Sequence, residues 1–67
     1  MKYEIGDLLK FRSTIKAAYE KPVLVLGYGE YSDNNRGFYT YYRLFCLSDE
    51  SVIELSTIAA ENLYERA

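Results

Sequence analysis

The sequence predicts an all-β protein, a small and strongly bent barrel of about five short strands with one helical or 3₁₀ turn near the C-terminus. Three observations carry this. Apolar residues come in short extended runs, PVLVLGY at Pro22 to Tyr28 and the alternating FYTYYRLFCL at Phe38 to Leu47. Turn-forming clusters separate them, GEYSDNNRG at Gly29 to Gly37 and SDES at Ser48 to Ser51. The chain has 67 residues. That is one domain, residues 1–67, and folding at this size removes only about 60 % of the unfolded surface from water, so the core is thin.

The elements follow in order. Ile5 to Arg12 reads as the first strand, opened by a turn at Gly6-Asp7. Ser13 to Lys21 is a connector, where Ile15, Ala18 and Tyr19 at i, i+3, i+4 allow one helical turn capped by Ser13. Pro22 to Tyr28 is the second strand, with proline at its first position, where no ladder donor is needed. Its Val and Leu residues fall on both faces, which predicts at least partial cover on both sides. Gly29 to Gly37 reads as a long hairpin loop.

Phe38 to Leu47 is the third strand. Alternation places Phe38, Thr40, Tyr42, Leu44 and Cys46 on one face, and Tyr39, Tyr41, Arg43, Phe45 and Leu47 on the other. After the turn, Val52 to Ser56 is the fourth strand, with Ile53 and Leu55 opposite Glu54. Thr57 to Asn62 reads as the helical turn, and Leu63-Tyr64-Glu65 as a short closing strand.

Composition limits the chemistry. There is no histidine, which removes the usual general base and the commonest metal ligand. The single cysteine, Cys46, lies in an apolar run and reads as a small buried hydrophobe. Glu30 to Asn35 offers oxygen ligands but lacks calcium-loop spacing. Gly27-Tyr28-Gly29 lacks the third glycine and the following helix of a dinucleotide site. The adjacent carboxylates Asp49 and Glu50 sit on a turn and point in different directions. The expectation is a protein without catalysis, metal or cofactor. Lys2, Glu4, Asp7 and Lys10 interrupt any signal-peptide core, and Pro22 to Gly29 is too short to cross a bilayer.

The net charge is −2, unevenly spread: residues 1–48 carry +2 and residues 49–67 carry −4. This argues against whole-surface attraction to nucleic acid and leaves room for a local basic patch.

Taken in order, Gly6-Asp7-Leu8-Leu9, Pro22-Val23-Leu24-Val25-Leu26, Tyr42-Arg43-Leu44-Phe45, Asp49-Glu50, Val52 to Leu55 and Leu63-Tyr64-Glu65 resemble the run of motifs in small SH3-like barrel proteins, often encoded by tailed bacteriophages. The resemblance spans nearly the whole chain. It implies an SH3-like barrel and a small phage accessory or structural module, and it brings no catalytic residues with it. The chain departs from the pattern in two places. Asp49-Glu50 stands where Asp-Gly is usual, and tyrosine and leucine stand where tryptophans often flank the last strands.

The segment Gly37 to Leu47 holds three of the eight tyrosines and two of the three phenylalanines. One of its faces is expected to be core. The other is expected to contact a protein, because tyrosine and arginine bury a large body while keeping a polar tip. The expected contact residues are Tyr39, Tyr41 and Arg43, with Tyr28 and Tyr31 of the adjoining hairpin. The expected partner is a host or phage protein, or a second copy of the chain, in the host cytoplasm or the virion. The alternative is a nucleic-acid-binding barrel that stacks bases on tyrosine and arginine, with Lys10, Arg12, Lys16 and Arg43 meeting phosphates.

Overall fold

The computed structural model describes residues 2–12, 21–33 and 37–67. Its elements are β1 (Leu8–Phe11), β2 (Val23–Asp33), β3 (Gly37–Cys46), β4 (Ser51–Ser56), α1 (Thr57–Leu63) and β5 (Tyr64–Arg66). They form one antiparallel five-stranded sheet in the order β4-β3-β2-β1-β5. The expected all-β fold with a short helix near the C-terminus is present. Among the described residues the sheet is open and does not close into the expected barrel: β4 and β5 are its edges and do not pair with each other. The helical turn expected between Ser13 and Lys21 falls almost wholly outside the described residues.

Gly29 to Gly37, expected to be a loop, is largely sheet. Pairing between β2 and β3 runs from Val23↔Cys46 out to Asp33↔Gly37. Polar residues such as Ser32 and Asp33 suggest a turn, but the ladder continues past the Tyr31–Tyr39 pair and takes both of them into the sheet. An 11-residue strand is about 36 Å long at the usual rise. The hairpin therefore sets the 40 Å long axis of the molecule.

The ladder contains one irregularity. Val25 pairs with Leu44 and Gly27 with Arg43, so Leu26 is an extra residue. Such a bulge reverses the face on which the following residues lie. Before it, Val23 and Val25 face the core. After it, Tyr28 faces the core, and Gly29 and Tyr31 face away.

The core consists of Tyr3, Leu9, Val23, Val25, Tyr42, Leu44 and Ala60, with Cys46, Leu55 and Tyr64 packed against it. Each fully buried large side chain contributes about 1.5–3 kcal/mol relative to exposure. As expected, Tyr42 and Leu44 are core residues and Cys46 packs beside them. Phe38 is not: it is 73 % exposed, because it lies out on the hairpin past the last core residue.

The hydroxyls of Tyr42 and Tyr28 are hydrogen-bonded. Tyr42 Oη accepts from the Tyr3 backbone N–H at 3.2 Å and donates to Glu61 Oε2 at 2.8 Å. Tyr28 Oη donates to the Tyr3 carbonyl at 2.7 Å. The Tyr42 ring lies 5.6 Å from each of the Tyr3 and Tyr28 rings. Burial and the Glu61 carboxylate push the Tyr42 phenol above its ordinary value.

Local signals fix the ends of the elements. Ser56 caps α1, its hydroxyl accepting from the Ala59 N–H at 3.2 Å. In the β3–β4 turn Glu50 adopts φ 59°, a left-handed conformation that glycine takes more readily. Asp49 Oδ1 steadies that turn by accepting from the Ser51 N–H at 3.1 Å and hydroxyl at 2.7 Å.

Candidate protein-contact face

Opposite residues in an antiparallel ladder share a face, so the register defines the side of the sheet turned away from the core. Tyr31 lies opposite Tyr39, and Tyr41 lies between Gly29 and Ser56. Arg43 lies between Gly27 and Glu54, and Phe45 between Leu24 and Val52. Leu8 completes the last row, opposite Leu24.

Toward the hairpin end, this face forms an open groove of about 610 Å³ lined by Tyr31, Tyr39, Tyr41, Glu54, Ser56 and Ile58. Tyr31 and Tyr39 stack with ring centroids 5.2 Å apart at 33°. They are about half exposed, 52 % and 48 %. A side chain at Gly29 would collide with the Tyr41 ring, so the missing Cβ is what lets that ring settle on the strand. Ile58 of α1 also lines the groove and is 75 % exposed.

Arg43 is fixed at the groove's end. Its Nε and Nη2 donate to Glu54 Oε2 at 3.3 and 2.9 Å. The hydrogen bond and charge of Glu54, and to a lesser extent the Tyr41 hydroxyl, raise the guanidinium's pKa. The pair is exposed, so it positions the guanidinium more than it stabilises the fold.

The structure thus brings Tyr31, Tyr39, Tyr41 and Arg43 together on one face. Tyr28 is placed on the other, beside Tyr42, with its hydroxyl committed to the Tyr3 carbonyl. Lys10 and Arg12 lie on the far side of the Leu8–Leu24–Phe45 row from Arg43. Both approach Glu65, at 3.8 and 4.0 Å. Lys16 falls outside the described residues. The three described residues expected for phosphate contact therefore do not converge, and each has a carboxylate partner.

Sequence reasoning missed three residues of the groove, Glu54, Ser56 and Ile58. The alternation of β4 separates its two faces but does not show which residues border a groove, and Ile58 comes from the helix that follows. Among the described residues, no group of three or more His, Cys, Asp or Glu side chains could hold a metal ion. Among the same residues, no helix is long and apolar enough to cross a membrane.

Comparison with protein-family models, curated proteins and solved structures returns no match for this chain. The fold and the face together define a small all-β protein that presents an aromatic groove on the exposed side of its sheet.

Proposed function

We propose that this chain is a non-catalytic protein-interaction module. The tyrosine groove is its contact surface, with Tyr31, Tyr39 and Tyr41 as anchors and Arg43 at the rim. The observation that carries this reading is the Tyr31–Tyr39 stack, half exposed on a hairpin arm beside Tyr41 and Ile58. Surfaces that bind proteins are enriched in such amphipathic anchors, whose few rotatable bonds lose little entropy on contact. The partner is a host or phage protein, in keeping with the small phage accessory modules that the motif order resembles, and the site of action is the host cytoplasm or the virion.

The carboxylates beside Lys10, Arg12 and Arg43 weigh against nucleic acid, since phosphates would have to displace them. Capture experiments with wild type and the Tyr31→Ala and Tyr39→Ala variants test the reading. Each variant keeps its thermal midpoint within a few degrees and loses the captured partner. Undiminished capture by both variants overturns the proposal, as does a salt-dependent shift with single-stranded DNA that Arg43→Ala abolishes.

A further inference from the structure

We propose that the edge of β4, unpaired among the described residues, pairs with β4 of a second copy, making a two-fold dimer with one continuous ten-stranded sheet. The inference rests on the sheet edge and not on the function proposed for the groove. An exposed strand edge is a template for another strand unless something blunts it. The β4 sequence SVIELS contains no proline and no lysine. Its pairing with β3 runs through six residues without a bulge, from Cys46↔Ser51 to Tyr41↔Ser56. Its one charged residue, Glu54, is engaged with Arg43 on the neighbouring strand. Val52 is 53 % and Ile53 36 % exposed, and neither belongs to the core cluster. The opposite edge, β5, is blunted: it has three residues, including the charged Glu65 and Arg66.

The occupant follows from symmetry and charge. A strand that pairs antiparallel with its own copy about a two-fold axis normal to the sheet keeps like faces together, so each residue meets one of its own parity. Three centres are available near the middle of β4. Centring on Glu54 would set two carboxylates directly opposite each other, which is unfavourable. Centring on Val52 would leave the Leu55 end of the strand unpaired. Centring on Ile53 pairs Ile53 with its own copy, Val52 with Glu54, and Ser51 with Leu55. Two apolar side chains then meet at the axis and no like charges are opposed.

This pairing uses up the β4 edges of both copies, so assembly closes at two. It also places both tyrosine grooves on the same side of the extended sheet, flanking the axis, because Glu54 and Ser56 line them. An interface this narrow falls below the roughly 1,200 Å² of standard interfaces, so the dimer is expected to be weak and concentration-dependent.

Sedimentation of the full chain over a wide concentration range tests the proposal. The register makes an asymmetric prediction. Ile53→Lys opposes two ammonium groups at the axis and weakens association by about tenfold or more. Val52→Lys sets each new ammonium opposite Glu54 of the other copy, and association is no weaker and up to about fivefold tighter. Circular dichroism verifies that both variants fold. As a second measurement in a Cys46→Ala background, Ile53→Cys oxidises to a covalent dimer, because paired Cα atoms lie about 4.5–5.5 Å apart, within disulfide range. Glu54→Cys does not cross-link at a comparable rate. A monomer at every concentration overturns the proposal. So does equal weakening by both lysine variants, or cross-linking at position 54 in preference to 53.

Discussion

The ring of Tyr41 occupies the space that a side chain would take at Gly29, directly across the β2–β3 ladder. Glycine at a strand interior weakens the sheet, so its presence here has a packing reason. Alanine at Gly29 would force the ring off the strand and remove one wall of the groove. Gly29→Ala is therefore expected to shift the Tyr41 ring signals in the NMR spectrum. It should also weaken partner binding about fivefold or more, the scale of losing an anchor side chain. Unchanged ring signals would show that Tyr41 does not depend on that gap.

The strained turn offers a test of opposite sign. Glu50 holds φ at 59°, and a non-glycine residue pays about 1–2 kcal/mol for that conformation. Glycine loses part of the gain through its freer unfolded chain, about 0.5–1 kcal/mol. Glu50→Gly is expected to raise stability by about 0.5–1 kcal/mol, or a few degrees in thermal midpoint. A lower midpoint would show that the Glu50 side chain contributes more than its backbone conformation costs.

The Tyr42 hydroxyl bridges the Tyr3 N–H and the Glu61 carboxylate. Tyr42→Phe keeps the ring and leaves both groups without this partner. The expected loss is about 1–3 kcal/mol in urea unfolding at unchanged m-value. Glu61→Gln retains an acceptor for the Tyr42 hydroxyl and should lose less.

Stability should follow pH in two limbs. Backbone and side-chain hydrogen bonds hold the Asp7 and Asp49 carboxyls below their ordinary value of 3.8. Their contribution is present above that value and is lost as pH falls through the lower folded-state values. Asp49 is exposed and Asp7 is only partly covered, so this limb is shallow. Burial pushes the Tyr42 and Tyr64 phenols above 10.0. Below that pH their contribution is fully present, and above it stability declines, because the unfolded phenols ionise first. Urea midpoints near pH 3, 7 and 11 should show the plateau at about 7, with Tyr42→Phe flattening the alkaline limb. A midpoint still rising at about pH 11 would contradict the buried tyrosine network.

Much of the fold was legible because its signals are local. Alternation in Phe38 to Leu47 identified Tyr42 and Leu44 as core and Tyr39, Tyr41 and Arg43 as the opposite face. The turn at Ser48 to Ser51 and the helical turn at Thr57 to Asn62 are also readable, although the Ser56 cap that starts the helix is seen only in the structure. What failed was non-local. The bulge at Leu26 puts Tyr28 on the core side and Tyr31 on the outer side, and a run of valines and leucines does not announce it. Tyr3 sits among polar residues, and its burial comes from partners 25 to 61 positions away in the chain. The groove drew Ile58 from the helix, a contact that depends on where Ser56 ends β4. The polar tip makes the hairpin arm look like a loop in the sequence, while the tyrosine pair that holds it spans the two strands.

Site-specific photo-cross-linking tests the central claim most directly. A photoreactive phenylalanine analogue replaces Tyr39 in the groove or, as a control, the exposed Asn62 on α1. Irradiation in the presence of host and phage proteins should give a discrete heterologous adduct from position 39 and none from position 62. An adduct from position 62 with none from position 39 would contradict the assignment of the tyrosine groove as the contact surface.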